Sequence, residues 1–85
     1  MTNRLLEIRG KIDTLDRRIG RLLARRFALA MPLRLLKNKV SDPAREKQVL
    51  ANAAAGAGKP AFRGAVRAVF TEVIRQSKKL QACGQ

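Results

Sequence analysis

The 85-residue chain has no histidine, no tryptophan, no tyrosine and one cysteine, and it sets only 6 Asp+Glu against 19 Lys+Arg. Without histidine, and with Cys83 as the lone thiol, the side chains for a zinc site, a His-based catalytic triad or a disulfide framework are missing. Three phenylalanines leave few stacking platforms for unpaired bases. No run of 18 apolar residues is present to span a bilayer, and the longest early apolar stretch, Phe27 to Pro32, is too short and too far along for a signal-peptide core. The basic, amphipathic start imitates a transit peptide, but Glu7, Asp13 and Asp16 interrupt it with acids that such peptides avoid. These absences predict a cytoplasmic protein without membrane contact whose chemistry uses neither a metal nor a cofactor.

What is present is a folded chain of one domain, residues 1–85, because 46% of it is apolar despite a net charge of +13. A core of this size is marginal unless something outside the chain completes it. Leu5, Ile8, Ile12, Leu15, Ile19, Leu22, Arg26, Leu29, Leu33 and Leu36 recur in alternating steps of three and four, one stripe along a helix. That helix is predicted to start after Thr2 or Asn3 and to run to about Asn38, kinked by Pro32 yet continuous, since the stripe stays in phase across the proline. Asp42-Pro43 is a helix entry, an N-cap acid before a proline pre-set for the first turn, and opens a second helix to about Ala55. Gly56, Gly58 and Pro60 end it, and a third helix spans Pro60 to about Gln81. The fold class is all-α with three helices. A first helix of some 35 residues would reach about 50 Å, far beyond a compact globule of this length, so its overhanging apolar stripe calls for a second copy and predicts a homodimer.

Within this framework the informative residues are polar ones at positions where the pattern calls for apolar ones. Arg26 interrupts the stripe, Lys37 follows its last leucine, Glu46 lies on the inner face of the second helix, and Ser77 and Gln81 extend the inner face of the third. A buried arginine needs an anion, and with so few acids in the chain a ligand carboxylate or phosphate is a candidate. Taken singly, each has an ordinary explanation. Arg26 can snorkel from the edge of the stripe to water, Lys37 complements a helix dipole, Asp42 is an N-cap, and Arg9 and Arg45 read as solvated charges. Glu46 can pair with a nearby base, and Ser77 and Gln81 can sit at a fraying end.

Taken as a set, these residues resemble the all-α chorismate mutases of the shikimate pathway over nearly the whole chain. Leu5-Leu6-Glu7-Ile8-Arg9-Gly10-Lys11-Ile12-Asp13-Thr14-Leu15-Asp16 is similar to that family's first-helix signature. Leu22-Leu23-Ala24-Arg25-Arg26 and Lys37, then Asp42-Pro43-Ala44-Arg45-Glu46, then Ser77-Lys78-Lys79-Leu80-Gln81, follow in family order. The resemblance implies an intertwined homodimer with shared active sites that rearranges chorismate to prephenate, an isomerase of aromatic amino acid biosynthesis. It implies that Arg26 and Ser77 hold one substrate carboxylate, and that Lys37 and the partner subunit's Arg9 hold the other. Lys37 and Gln81 would donate to the ether oxygen, and Glu46, with the backbone near Asp42 and Arg45, would bind the ring hydroxyl. A pericyclic step needs no nucleophile and no proton abstraction, which suits a chain without histidine.

Two departures from the family pattern bear on the pocket: Pro32 in the first helix, and only four residues between Lys37 and Asp42, which makes Lys39 a second candidate for the lysine role. The third helix also starts without a good N-cap, with Lys59 before Pro60. The alternatives are an isochorismate pyruvate lyase of the same architecture, a basic nucleic-acid-binding helical dimer, and a mutase-like subunit that requires another shikimate-pathway enzyme as partner. The charge alone supports only non-specific adhesion to polyanions, and no specific nucleic-acid partner is expected.

Overall fold

The computed structural model describes residues 2–36 and 41–83, all in helices or the turns between them. Helix α1 runs Thr2–Ala30, a 3-10 helix continues it over Met31–Leu35, α2 covers Pro43–Gly56 and α3 covers Pro60–Cys83. Three α-helices and no strand among the described residues agree with the all-α prediction. The bounds of α2 and α3 lie within two residues of those predicted.

The first helix departs from its prediction at both ends. Its first turn already contains Thr2 and Asn3, so neither stands outside it as a cap. The α-helix also stops at Ala30 instead of continuing to about Asn38; Asn38 itself lies outside the described residues. The cause is Pro32. It has no N–H to give to the carbonyl of Ala28, and its ring crowds that carbonyl. The backbone keeps right-handed helical angles at Ala30 (φ −79°, ψ −35°) but tightens into a 3-10 winding, closed by Leu36 N–H to Leu33 O at 2.9 Å. The predicted kink is a change of helix type.

Asp42 caps α2 as predicted: its carboxylate accepts the Arg45 N–H at 3.2 Å, and its carbonyl accepts the Glu46 N–H at 2.9 Å. Between α2 and α3, Gly58 takes φ +78°, with Lys59 N–H donating to Ala57 O at 2.9 Å across it, a tight turn for which a residue lacking Cβ is suited. In place of a side-chain cap, α3 opens with Phe62 N–H donating to Lys59 O at 3.0 Å, and the Lys59 ammonium lies 5.7 Å from the Phe62 ring centroid.

Helices α2 and α3 form the main pair, and the 3-10 helix with the end of α1 leans on α3. The core is small: among the described residues Ala54, Val73 and Ile74 are the buried apolar ones, and no side chain is completely enclosed. The remainder of α1 projects past this cluster, giving extents of 57 × 29 × 14 Å and a radius of gyration of 16.0 Å, against about 12 Å for a compact chain of this length. Leu5, Ile8, Ile12, Leu15, Ile19 and Leu22 along the projecting rod are between 42% and 58% exposed. No helix of the described residues is long and apolar enough to cross a membrane.

Candidate active site

Where the end of α1 meets the pair of α2 and α3, the three helices enclose a cavity of about 380 Å³. Leu29, Ala30, Leu33, Val49 and Ile74 form its apolar wall, and Arg26, Asp42, Arg45, Glu46, Ser77, Lys78 and Gln81 bring polar groups into it. Its size and its mix of apolar wall with a few convergent polar groups are those of a small-molecule site.

Each polar group arrives by a simple route. Arg26 stands on the stripe of α1 one turn before the helix tightens, and it is partly buried. Its guanidinium turns inward and donates to Ser77 Oγ at 2.9 Å, tying α1 to α3. Of the readings open for this residue, the inward one describes the structure. No carboxylate of the described residues lies within ion-pairing distance of it, so none of them neutralises its charge inside the cavity. Ser77 and Gln81, four residues apart on α3, are both 5% exposed and share one face. Gln81 Oε1 is buried without a hydrogen-bond partner among the described residues. An unpartnered amide oxygen next to a cavity is a polar group that a ligand can satisfy, and a half-turn of the amide exchanges its acceptor for a donor.

Across the cavity, Glu46 Oε2 receives the Asp42 N–H at 3.4 Å and lies 3.2 Å from Lys78 Nζ. Arg45 sends its guanidinium to Gln48 Oε1 along the outside of α2 while its base borders the cavity. The resolved shift in acidity lies elsewhere. On the exposed face of α3 the Arg75 guanidinium, followed by the Gln76 amide, holds the Glu72 carboxyl below the usual carboxylate range.

The structure thus brings Arg26, Asp42, Arg45, Glu46, Ser77 and Gln81 to one cavity. Arg9 is not among its lining residues; it is exposed on α1, 17 residues and so about 25 Å from Arg26 along the rod. Lys37, and Lys39 with it, lies outside the described residues. Sequence reasoning assigned nothing to Lys78, because a lysine next to Ser77 on a basic helix carries no signal until the glutamate opposite it is known. The apolar wall was legible only as helix stripe, not as a ligand surface.

A search of solved structures finds no match. Among curated proteins, a chorismate mutase of Methanocaldococcus jannaschii is 42% identical over 53 residues, a stretch covering 58% of this chain. That stretch spans 54%, about half, of the relative's own length. A match to one family, described as chorismate mutase type II, extends over residues 8–82 and takes in all three helices and every polar residue of the cavity. The chain therefore belongs to the chorismate mutase type II family.

Proposed function

We propose that the protein is a chorismate mutase, an isomerase acting in the cytoplasm through one chorismate-mutase-like domain, and that it converts chorismate to prephenate. The observation that carries this reading is the cavity itself. Among the described residues, an arginine without a carboxylate partner, a buried serine beside it, and a glutamine with an unpartnered amide oxygen one turn further along face a carboxylate held on the opposite helix. The set suits a compact anion that also bears a hydroxyl and an ether oxygen.

The reaction is an intramolecular Claisen rearrangement, in which the ether C–O bond breaks as a C–C bond forms. In this reading Arg26, steadied by Ser77, grips one carboxylate and folds the flexible dianion into its reactive shape, where most of the gain of an intramolecular step lies. Gln81 turns its amide N–H towards the ether oxygen and, together with Lys37, stabilises the negative charge that grows there. Glu46 accepts the ring hydroxyl. The Asp42 and Arg45 N–H groups are already engaged with Glu46 and with the cap, so their part is to hold Glu46 in place.

The second carboxylate calls for a second copy of the chain, and two features support a homodimer with shared sites. The exposed surface is 6894 Å², about 1,900 Å² more than a compact monomer of 9.4 kDa would show. That excess, met twice in a dimer, falls in the range of obligate interfaces. The exposed stripe of α1, Leu5 to Leu22, also spans residues 17 and 18. Antiparallel pairing of two α1 rods about that point sets the partner subunit's Arg9 opposite Arg26, since the two residue numbers are symmetric about it. Any partnership with another shikimate-pathway enzyme would use surfaces outside this pairing.

The test is direct: purified protein with chorismate, following loss of substrate and appearance of prephenate. Salicylate from isochorismate, with chorismate left untouched, would replace the mutase reading with the lyase one.

A further inference from the structure

Lys78 enters the cavity from α3, one residue after Ser77 and three before Gln81. Its ammonium lies 3.2 Å from Glu46 Oε2 across the gap to α2, and the two side chains are 34% and 27% exposed. Glu46 and Lys78 also border a second hollow of about 190 Å³, lined further by Leu50, Thr71, Ile74 and Arg75. The ion pair therefore stands at the wall between two spaces, and on its far side the other cation lining the smaller hollow, Arg75, is paired with Glu72 at 2.7 Å.

A carboxylate is an awkward neighbour for a dianion. Unneutralised, Glu46 repels the same carboxylates that Arg26 draws in, and the repulsion is stronger in a partly buried site than in water. Of the other charged groups lining the cavity among the described residues, Arg26 turns to Ser77 and Arg45 to Gln48, so neither neutralises Glu46, and the Asp42 carboxylate is taken by the helix cap. Among the described residues Lys78 is the cation at ion-pairing distance from Glu46. Among the described residues both contacts of the Glu46 carboxylate use Oε2, and Oε1 is the oxygen proposed to accept a ligand hydroxyl.

We infer that Lys78 is a positioning residue that neutralises Glu46 and holds it on the cavity side of the wall, so that the site accepts a hydroxyl-bearing dianion. This rests on the mutase reading of the cavity and names a residue that reading leaves without a role. Because Lys78 acts through Glu46, its removal should weaken substrate binding more than it slows the bound substrate.

Steady-state kinetics with chorismate test this on the wild type, Lys78→Met, Lys78→Gln, Lys78→Arg, Glu46→Gln and the Glu46→Gln/Lys78→Met double variant, each checked for helicity by circular dichroism. Lys78→Met and Lys78→Gln should raise KM about tenfold with kcat within about threefold of wild type, and Lys78→Arg should restore KM. In the Glu46→Gln background Lys78→Met should change KM by less than about twofold, since no charge is left to neutralise. A folded neutral variant with wild-type KM, or an equal rise in both backgrounds, would overturn the inference while leaving the mutase reading intact. A wild type that neither binds nor converts chorismate would overturn the mutase reading and this inference with it.

Discussion

Replacing Ile19 with lysine separates a shared two-chain core from a free-standing chain. Ile19 sits on the projecting stripe of α1 and is 52% exposed in the single chain. Full burial of an isoleucine side chain contributes about 1.5–3 kcal/mol, so covering the remaining half in a dimer contributes about 1 kcal/mol per copy. A two-fold interface meets each change twice. Ile19→Ala should therefore weaken the dimer by about 2 kcal/mol, near thirtyfold in Kd. Ile19→Lys adds a stranded ammonium in each copy at roughly 1–3 kcal/mol or more, for a total of about 4–8 kcal/mol. Sedimentation equilibrium across nanomolar to micromolar concentrations reads this shift directly. Far-UV circular dichroism on the same samples should show helicity falling with dissociation, because Ala54, Val73 and Ile74 alone make a poor core for a lone chain. A wild type that sediments as a fully helical monomer at micromolar concentration would refute the reasoning, as would an Ile19→Lys chain that dimerises with wild-type affinity.

Four further outcomes are expected. Arg26→Ala should cost about 2–4 kcal/mol in kcat/KM, whereas Arg63→Ala on the exposed flank of α3 should cost little; equal losses would mean that bulk charge, not a site, draws the substrate. Mixing Arg9→Ala with Arg26→Ala chains should restore activity that neither homodimer has, because one site of the heterodimer is then intact; absence of recovery despite demonstrated chain exchange would exclude Arg9 from the shared site. Lys37→Ala should abolish turnover more thoroughly than Lys39→Ala, and the reverse ranking would reassign the lysine role across the short connection to α2. Gln81→Glu places a carboxyl where the native side chain is 5% exposed; ionised, it cannot donate and opposes the charge growing on the ether oxygen, so activity should be low at pH about 7–8 and partly recover as pH falls and the group becomes a donor, with burial moving that recovery to higher pH. A flat, wild-type-like pH profile would remove residue 81 from the ether oxygen.

Local signals carried most of the helix boundaries. Asp42-Pro43 marks the start of α2 because capping and a fixed φ act within one turn, and Gly58 marks the turn before α3 because positive φ is a property of one residue. Pro32 was legible as a disturbance but not as a switch to 3-10 winding. Whether a helix kinks or tightens depends on what the next residues pack against, and here Met31–Leu35 lies on α3. Arg26 shows the same division. Its place on an apolar stripe raised the need for an anion, but taken alone an arginine there more often reaches out to water, and Ser77, 51 residues later, is the hydrogen-bond partner that turns it inward.

The sequence by itself determined the class of the fold, the order of the helices and the identity of six polar residues of the cavity, because periodicity, capping and a family pattern are written in neighbouring positions. Only the tertiary structure decided that those six meet, that Arg26 turns inward and Gln81 keeps an amide oxygen with no carboxylate and no hydrogen-bond partner for them among the described residues, and that Lys78 faces Glu46. The reason is distance along the chain. Arg26, Glu46 and Lys78 come from three different helices, and charges so far apart in sequence acquire an interaction only when packing brings them within a few ångströms and removes the water between them.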